Sequence, residues 1–265
     1  IAALLIFQKF QALQTTVVIS DLSGCQTSTQ SGAYRLGQNI VDATGPCFSI
    51  RASNVTLDGN GKTVTMAAGG DAFEFADYGS GPFTNVTVSN FVTDGGARII
   101  GGNNNHFTMQ NSTIAGFDNE GADFVTIDHN TINGPFVSED TNGGCLSDAS
   151  CAYFNQALSL TATNNTITGA SDRFIVLRNY GDATHPCPAS STVFTGNTVT
   201  NTIAVPTQNP TTFYLACSTT DIVSTNPLTA TGDGSGMLIR DGWNGGPFTN
   251  NTIHITLAFA DPRGP

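Results

Sequence analysis

The chain has 265 residues, enough for one large all-β domain or two ordinary domains. Its 20 acidic and 9 basic side chains give a formal net charge of −11, which argues against nucleic acid or an anionic membrane surface as a partner. Charged residues make up only 11% of the chain, and the abundant Thr, Asn, Gly and Ser favour strands and tight turns over helices.

The first predicted element is an apolar segment, IAALLIFQKFQALQTTVVIS. Its unbroken apolar run, residues 1–7, is too short to cross a bilayer, so we predict no membrane span. We expect residues 1–24 to form a hydrophobic cap or arm beside a β domain of residues 25–265. The apolar side chains of this arm are Ile1, Leu4, Leu5, Phe7, Phe10 and Leu13.

From residue 54 onward one phrase recurs with variations. It appears as NVTLDGNGKTV from Asn54, FTNVTVSNFV from Phe83, FVTIDHNTING from Phe124 and LTATNNTITG from Leu160. Each copy contains a short alternating strand, a polar corner ending in Asn, and a second strand with a β-branched residue. The chain is therefore predicted to repeat one strand-corner-strand unit.

The spacing of the second strands indicates the length of the unit. Phe91-Val92 to Thr113-Ile114 is a step of 22 residues, and the following steps are 18, 35, 32 and 54. The short steps fit one turn of a solenoid of about 18 to 22 residues. The longer steps fit a turn with an inserted loop, or two turns with a loop. Inserted segments are predicted from Phe136, from Asn179 and over residues 206–236.

A parallel β-helix with three short strands per coil fits this unit best. Leucine-rich repeats require Leu at fixed positions, and a propeller blade needs about 40 residues. In a parallel β-helix, inward Val, Ile, Phe and Leu stack into one continuous core. The recurrent corner Asn has two interpretations: an amide ladder between coils, or a residue that simply favours turns.

Six cysteines and few lysines are typical of a secreted chain with disulfides. Sequential pairing is the simplest of the 15 possible connectivities, and no cysteine spacing fits a zinc site. Five Asn-x-Ser/Thr sequons are candidates for glycosylation. The cysteines are Cys25, Cys47, Cys145, Cys151, Cys187 and Cys217, and the sequon residues are Asn54, Asn85, Asn111, Asn164 and Asn250.

The opening CQTSTQSGAYRLGQNIVDATGPCFSIRASNVTLDGNGKTV and the x-N-N-T-I phrases resemble the right-handed parallel β-helix repeats of pectate-lyase-like proteins. They are most similar to secreted bacterial and archaeal surface proteins in which two cysteines flank the first coil. The resemblance covers nearly all of the chain after Cys25. It implies an all-β, right-handed parallel β-helix, but no particular activity, because this fold carries lyases, hydrolases and adhesins.

The densest acidic segment offers the few candidates for chemistry. Asp118, Glu120 and Asp123 are weak candidates for a Ca²⁺ site, and Asp128 with His129 is a candidate acid-base pair. Solvated corner residues explain the same pattern. The basic candidates for a lyase are Arg98, Arg173, Arg178 and Arg240, and the motifs of pectin hydrolases are absent.

We therefore predict an extracellular structural or adhesive protein without a cofactor, able to self-associate into a filament through its N-terminal arm. The alternative is a carbohydrate-active enzyme with a groove beside the inserted loops. An ice-binding surface is a third, less favoured interpretation, because we expect the Thr residues not to form regular outward Thr-x-Thr rows.

Overall fold

In the computed structural model, every regular element within the described residues is a β-strand. The described residues are 19–67, 70–76, 81–100, 104–120, 122–139, 159–170, 173–178, 191–202, 211–216, 222–224, 227–231, 235–240 and 248–256. Their 28 strands form three sheets, which we name A, B and C.

The strands alternate among the sheets in the order A, C, B, except that β1 is followed directly by β2. Sheet A contains β1 (Ile19–Leu22), β3 (Gly32–Leu36), β6 (Val55–Asp58), β9 (Thr84–Ser89), β12 (Asn105–Gln110), β15 (Asp123–Asp128), β18 (Ser159–Thr163), β21 (Ser191–Thr195), β24 (Ile222–Ser224) and β27 (Phe248–Thr249). Sheet B contains β2 (Gln26–Ser28), β5 (Phe48–Ile50), β8 (Asp71–Ala76), β11 (Gly96–Ile100), β14 (Phe117–Glu120), β17 (Phe136–Glu139), β20 (Arg173–Arg178), β23 (Thr211–Ala216) and β26 (Ser235–Arg240). Sheet C contains β4 (Ile40–Ala43), β7 (Thr63–Met66), β10 (Val92–Thr93), β13 (Thr113–Ile114), β16 (Thr131–Ile132), β19 (Thr166–Gly169), β22 (Thr198–Thr202), β25 (Pro227–Thr231) and β28 (Thr252–Thr256).

The three sheets wind into a right-handed parallel β-helix, which confirms the predicted fold class. Each strand pairs in parallel with the strand one coil away, as β12 does with both β9 and β15. Parallel strands joined by a crossover connect in the right-handed sense. The first strand, β1, lies inside the predicted arm and pairs with β3, whereas residues 1–18, with all six predicted arm side chains, lie outside the described residues.

The pairing register confirms three of the predicted steps and corrects a fourth. Thr113 pairs with Thr131, and the pairs Thr131–Thr166 and Thr166–Thr198 continue the column. Val92, rather than Phe91, pairs with Thr113, so that step is 21 residues. The reason is burial: Thr93 points into the core and Val92 points outward.

The last predicted step of 54 residues spans two coils. Val199 pairs with Leu228, and Leu228 pairs with Ile253. The predicted insertion over residues 206–236 is therefore wrong as a single loop, because β23, β24 and β25 lie within it. The insertion predicted from Phe136 begins with β17, a strand of sheet B.

Phenylalanine fills much of the core inside the coils. Among the largest fully buried side chains are Phe48, Phe73, Phe75, Phe91, Phe107, Phe117, Phe136, Phe174 and Phe194. Their rings contact one another between coils: the ring centroids of Phe73 and Phe91 are 4.8 Å apart, and those of Phe117 and Phe136 are 5.0 Å apart. These aromatic contacts help to hold neighbouring coils together.

The corner between sheets A and C contains the amide ladder that the Asn pattern predicts. Buried Asn130, Asn165 and Asn197 occupy one position on successive coils. The backbone N–H of Asn130 donates to Oδ1 of Asn165 at 2.9 Å, and the N–H of Asn165 donates to Oδ1 of Asn197 at 2.9 Å. Asn165 Nδ2 also donates to the carbonyl of Ile127 at 2.9 Å. The ladder thus satisfies bend groups that water does not reach.

Candidate functional site

Charged side chains gather on the outer face of sheet B. Glu74, Arg98 and Asp118 occupy the same register position on β8, β11 and β14, next to the inward-facing Phe73, Ala97 and Phe117. Glu120 lies two residues beyond Asp118 on the same face, because side chains alternate along a strand. Together with Asp71, these residues form what we call the sheet B cluster: Asp71, Glu74, Arg98, Asp118 and Glu120.

Arg98 is the central cation of the sheet B cluster. Its Nε donates to Oε1 of Glu120 at 2.9 Å, and its Nη2 donates to the same oxygen. Asp118 Oδ2 lies 3.9 Å from Arg98 Nε. The hydrogen bond to Glu120 is the main cause that raises the pKa of Arg98, so the guanidinium stays charged. Arg98 thus binds two carboxylates of the coil above.

The acidic side of the cluster is partly desolvated. Glu74 is only 7% exposed and accepts a hydrogen bond from Ser49 Oγ at 3.4 Å. Burial raises the pKa of Asp71 above its usual value; Arg98 opposes this rise, and the charges of Glu74 and Glu120 add to it. A carboxyl with a raised pKa beside carboxylates paired with an arginine is an arrangement that general acid-base chemistry uses.

The three predicted calcium ligands do not converge on one point. Asp118 and Glu120 lie beside Arg98 on sheet B, whereas Asp123 begins β15 of sheet A. Oδ1 of Asp123 accepts the backbone N–H of Phe124 at 2.9 Å and that of Ser159. In the part of the chain that the structure describes, no group of three His, Cys, Asp or Glu side chains is arranged to hold a metal ion.

The structure brings Asp128 and His129 together on sheet A. Oδ2 of Asp128 lies 2.7 Å from Nδ1 of His129, while Oδ1 accepts hydrogen bonds from Thr163 Oγ1 and Asn164 Nδ2. Partial burial works to raise the pKa of Asp128, but hydrogen bonds from Thr163, His129 and Asn164 outweigh it and hold the pKa below its usual value. This carboxylate is therefore engaged in joining two coils.

The remaining basic candidates for a lyase also belong to sheet B. Arg173 and Arg178 are the end residues of β20, and Arg240 ends β26. Their side chains lie outside the described part of the chain. The described part of the chain places Arg98 among carboxylates, where its guanidinium stays charged and pairs with them instead of accepting a proton.

All five predicted glycosylation asparagines occupy exposed corners at positive φ. Their φ angles are 58° for Asn54, 60° for Asn85, 52° for Asn111, 56° for Asn164 and 56° for Asn250. Asparagine tolerates this left-handed conformation better than most residues, which explains its recurrence there. The sequons are thus accessible to a modifying enzyme, and their occupancy stays a prediction.

Two residues that the sequence patterns did not single out share one of these corners. His106 and Phe124 occupy, on their coils, the position that Asn54 and Asn85 occupy on the preceding ones. We call these four residues the aromatic corner. The signal was available in the sequence, because N-V-T at residues 54–56 and 85–87 becomes H-F-T at 106–108 and F-V-T at 124–126.

Uncharged hydroxyl groups cover much of the other two outer faces. On sheet A, Thr56, Thr87, Thr108, Thr126 and Thr161 form one outward column. On sheet C, outward Thr-x-Thr pairs occur on β7, β19 and β22 but not on the coils between β7 and β19, so they form no regular row, in agreement with the expectation from sequence. The intervening coils interrupt these rows with other side chains, which line a shallow groove of about 470 Å³: Val92, Asp94, Ala115 and Asn133.

Cys25 and Cys47 form a disulfide, as predicted. The bond joins the residue before β2 to the residue before β5 and so connects the first two coils of sheet B. Such bonds are typical of proteins outside the reducing cytosol. The other four predicted half-cystines, Cys145, Cys151, Cys187 and Cys217, lie outside the described residues. Within the described ranges, no helix has the length and apolar character needed to cross a membrane.

Comparisons of the chain with protein-family models, with curated proteins and with solved structures gave no match. The structure confirms the parallel β-helix that the resemblance to pectate-lyase-like proteins implies, and this fold carries many unrelated functions.

Proposed function

We propose that this chain is an extracellular structural or adhesive β-helix protein. The observation that carries the proposal is the column of outward threonines on sheet A, which presents hydroxyl groups coil after coil without charge. Backbone ladders, the buried Asn column and the Cys25–Cys47 bond make this surface rigid. This column of uncharged hydroxyl groups, which on β6 and β15 has Asp58 and Asp128 beside it, suits contact with neutral surfaces and neighbouring molecules outside the cell.

Head-to-tail assembly into a filament is the finer part of the proposal. The terminal coils of a β-helix have edges on which a further chain can add. The apolar segment that precedes β1 supplies a candidate for that chain, with Ile1, Leu4 and Phe7 among its apolar side chains. A contact of this head-to-tail kind does not close, so it produces a fibre.

Electron microscopy of the purified protein tests the assembly directly. We expect fibres from the full chain and single particles from a variant lacking residues 1–16. A matched variant that keeps these residues but reduces their apolarity, Leu4→Ser with Phe7→Ser, should also give single particles. Unchanged fibres in both variants would remove the arm from the proposal, and the absence of fibres from the full chain would reject the filament.

The adhesive role needs a separate measurement. We expect cell fractionation to place the protein outside the cytosol, and the purified protein to adhere to neutral polysaccharide surfaces. A variant with Thr87→Glu and Thr126→Glu should adhere less, because the column would then carry charge. Cytosolic location of the wild type would contradict the proposal.

A second candidate function, a carbohydrate-active enzyme, is favoured by the sheet B cluster. There, the raised pKa of Asp71 suits a general acid, and Glu120 beside Arg98 suits a base or nucleophile. We expect Asp71→Asn and Glu120→Gln each to abolish hydrolysis of a susceptible polysaccharide, while Asp58→Asn on sheet A leaves it unchanged. Absence of reducing ends released from neutral and acidic polysaccharides by the wild type would reject this candidate.

A further inference from the structure

The aromatic corner contains a backbone conformation that its residues do not suit equally. The φ angles at Asn54, Asn85, His106 and Phe124 are 58°, 60°, 56° and 52°. Asparagine adopts this region readily, whereas positive φ is a genuine outlier for a bulky aromatic residue. Phe124 thus adopts an unfavourable conformation at a position where two other coils of the same chain have Asn.

Burial does not explain the presence of a phenylalanine at this position. The Phe124 side chain is 52% exposed, unlike the fully buried core phenylalanines on either side of it in sequence, Phe117 and Phe136. Its neighbour Val125 points into the core and supplies the apolar contact of that strand. The ring of Phe124 therefore gains little from the core, and an unfavourable backbone at an exposed ring points to a role at the surface.

Neighbouring side chains hold the ring as a flat platform. The rings of Phe124 and His106 are stacked, with centroids 4.7 Å apart and planes 16° apart. His106 Nδ1 lies 2.7 Å from Asn105 Oδ1, and Thr84 Oγ1 donates to the same oxygen at 2.5 Å. These contacts fix the imidazole, and the imidazole in turn supports one face of Phe124.

Polar groups continue the corner on the far side of His106 from Phe124. On the two coils that precede His106, Asn85 Nδ2 donates to Asn54 Oδ1 at 3.0 Å, so amide groups continue the column that His106 and Phe124 begin. An aromatic face beside amide, hydroxyl and imidazole groups is suited to a saccharide, whose C–H face stacks on a ring while its hydroxyls form hydrogen bonds. A net charge of −11 disfavours an anionic polymer.

From this geometry we propose that the aromatic corner is a saccharide-binding subsite, with Phe124 as the stacking platform and His106 as its support. The ligand is a neutral polysaccharide of pyranose units. The inference deepens the adhesive part of the proposed function and rests on it.

Binding to neutral polysaccharides tests the subsite. The probes are cellulose, chitin and starch in pull-down assays, soluble oligosaccharides of the bound polymer in calorimetry, and polygalacturonate as an anionic comparison. We expect the wild type to bind at least one neutral polymer, and not polygalacturonate. All proteins are produced without N-glycosylation, because Phe124→Asn and His106→Asn each create a sequon. Phe124→Asn should weaken that binding at least tenfold and leave thermal stability unchanged or higher, because Asn suits the backbone. Phe124→Tyr should retain binding, and His106→Asn should weaken it.

Val41→Asn is the matched control, since Val41 is a 71% exposed apolar residue on β4 and should not affect binding. Wild-type affinity in Phe124→Asn, or no neutral polymer bound by the wild type, would overturn the inference. Failure of the two proposals is distinguishable. If the wild type binds a polysaccharide and Phe124→Asn binds it equally well, the subsite is rejected and the adhesive role is retained. If Phe124→Asn abolishes binding but the protein is located in the cytosol, the subsite is retained and the extracellular role is rejected.

Discussion

In the coils that follow β12, the two adjacent residues at the corner between sheets A and C have different roles. The first, such as Asn111 or Asn164, is exposed and adopts positive φ to turn the chain. The second, such as Ser112 or Asn165, is buried and satisfies the backbone of the neighbouring coil. Asparagine suits both tasks, because it tolerates the left-handed region and carries a donor and an acceptor.

Asn165→Ala should destabilise the protein more than substitution of an exposed corner Asn. The side chain is 1% exposed, and its loss leaves the N–H of Asn130 and the carbonyl of Ile127 without their partners. Each buried group left unsatisfied costs about 1–3 kcal/mol. We expect the free energy of unfolding, measured with urea, to fall by about 2–4 kcal/mol. The control Asn133→Ala, on the exposed face of sheet C, should change it little; equal losses would contradict the ladder's role.

Asp128→Asn should reveal a pH-dependent contribution to stability. The folded-state pKa of Asp128 is lowered, so the ionised form stabilises the folded state. This contribution is complete above the unfolded-state pKa of about 3.9 and is lost as pH falls through the lowered folded-state pKa. Urea unfolding midpoints measured between pH 7 and pH 2 should be higher for the wild type than for Asp128→Asn at neutral pH. The difference between the two midpoints should disappear at acidic pH. A constant difference would contradict the assignment.

Asp71→Asn should change the stability at neutral pH in the opposite direction from Asp128→Asn. Burial raises the pKa of Asp71, so the ionised carboxylate opposes folding at neutral pH. We expect the variant to be more stable than wild type at pH 7. As pH falls through the raised pKa, wild type takes up a proton and the difference should disappear by about pH 4. The same urea series measures it, and a variant less stable at pH 7 would refute the predicted sign.

At the scale of elements, the shortest strands depend on their neighbours in the adjacent coils. β10, β13 and β16 of sheet C have only two residues each, and each is paired on both sides. The corner that leaves β16 passes close to the coil below it: a Cβ on Gly134 would lie 1.9 Å from the carbonyl oxygen of Ala115. The absence of a side chain there permits the close approach of two backbones.

Gly134→Ala should therefore separate the two coils locally. The methyl group has no space, so the corner must shift, at a cost of about 1–3 kcal/mol. Gly24→Ala is the control, because nothing lies within 4 Å of a Cβ built there; we expect no loss, or a slight gain in stability. Melting temperatures by circular dichroism measure both. An unchanged melting temperature for Gly134→Ala would show that the corner accommodates the methyl group.

Element positions were largely predictable from the sequence, and register less so. The steps from Thr113 through Thr131 and Thr166 to Thr198 follow from the local phrase, and the structure pairs these residues. Phe91 has the β propensity of a strand residue, but its ring is buried at the ladder position of Ser112 and Asn130, so the register begins one residue later. Propensity does not distinguish an apolar corner residue from a strand residue.

At the scale of the whole molecule, stability is a sum of contacts between neighbouring coils. Within the described residues, each inner strand pairs only with the preceding and following coils, and no strand pairing joins the first coils to those in the middle. A substitution in a terminal coil should therefore lower the stability mainly of the coils at that end. The disulfide Cys25–Cys47, with a sequence separation of 22, lies in the first two coils.

Removing this bond with Cys25→Ser and Cys47→Ser should loosen the first coils selectively. A disulfide closing a loop of this length contributes about 3 kcal/mol. In hydrogen exchange, amides of β3 and β5 should lose protection, whereas those of β12 and β15 should keep theirs. The double variant Gln26→Ser with Thr27→Ser, which changes two exposed side chains beside Cys25 and leaves the bond intact, is the control. Uniform loss of protection along the chain would contradict nearest-neighbour stability.

The sequence by itself determined the coil, because strand, corner and strand lie within a few consecutive residues and the same solution recurs. It also placed Cys25 and Cys47 at the start of the solenoid and indicated the Asn column. Only the tertiary structure decided that Arg98 meets Asp118 and Glu120, that Asp123 does not join them, and that Phe124 stacks on His106. Those contacts lie between coils: a recurring phrase can place two residues in one column, as it does for His106 and Phe124, but which side chains then touch depends on their three-dimensional orientation and on the loops between coils.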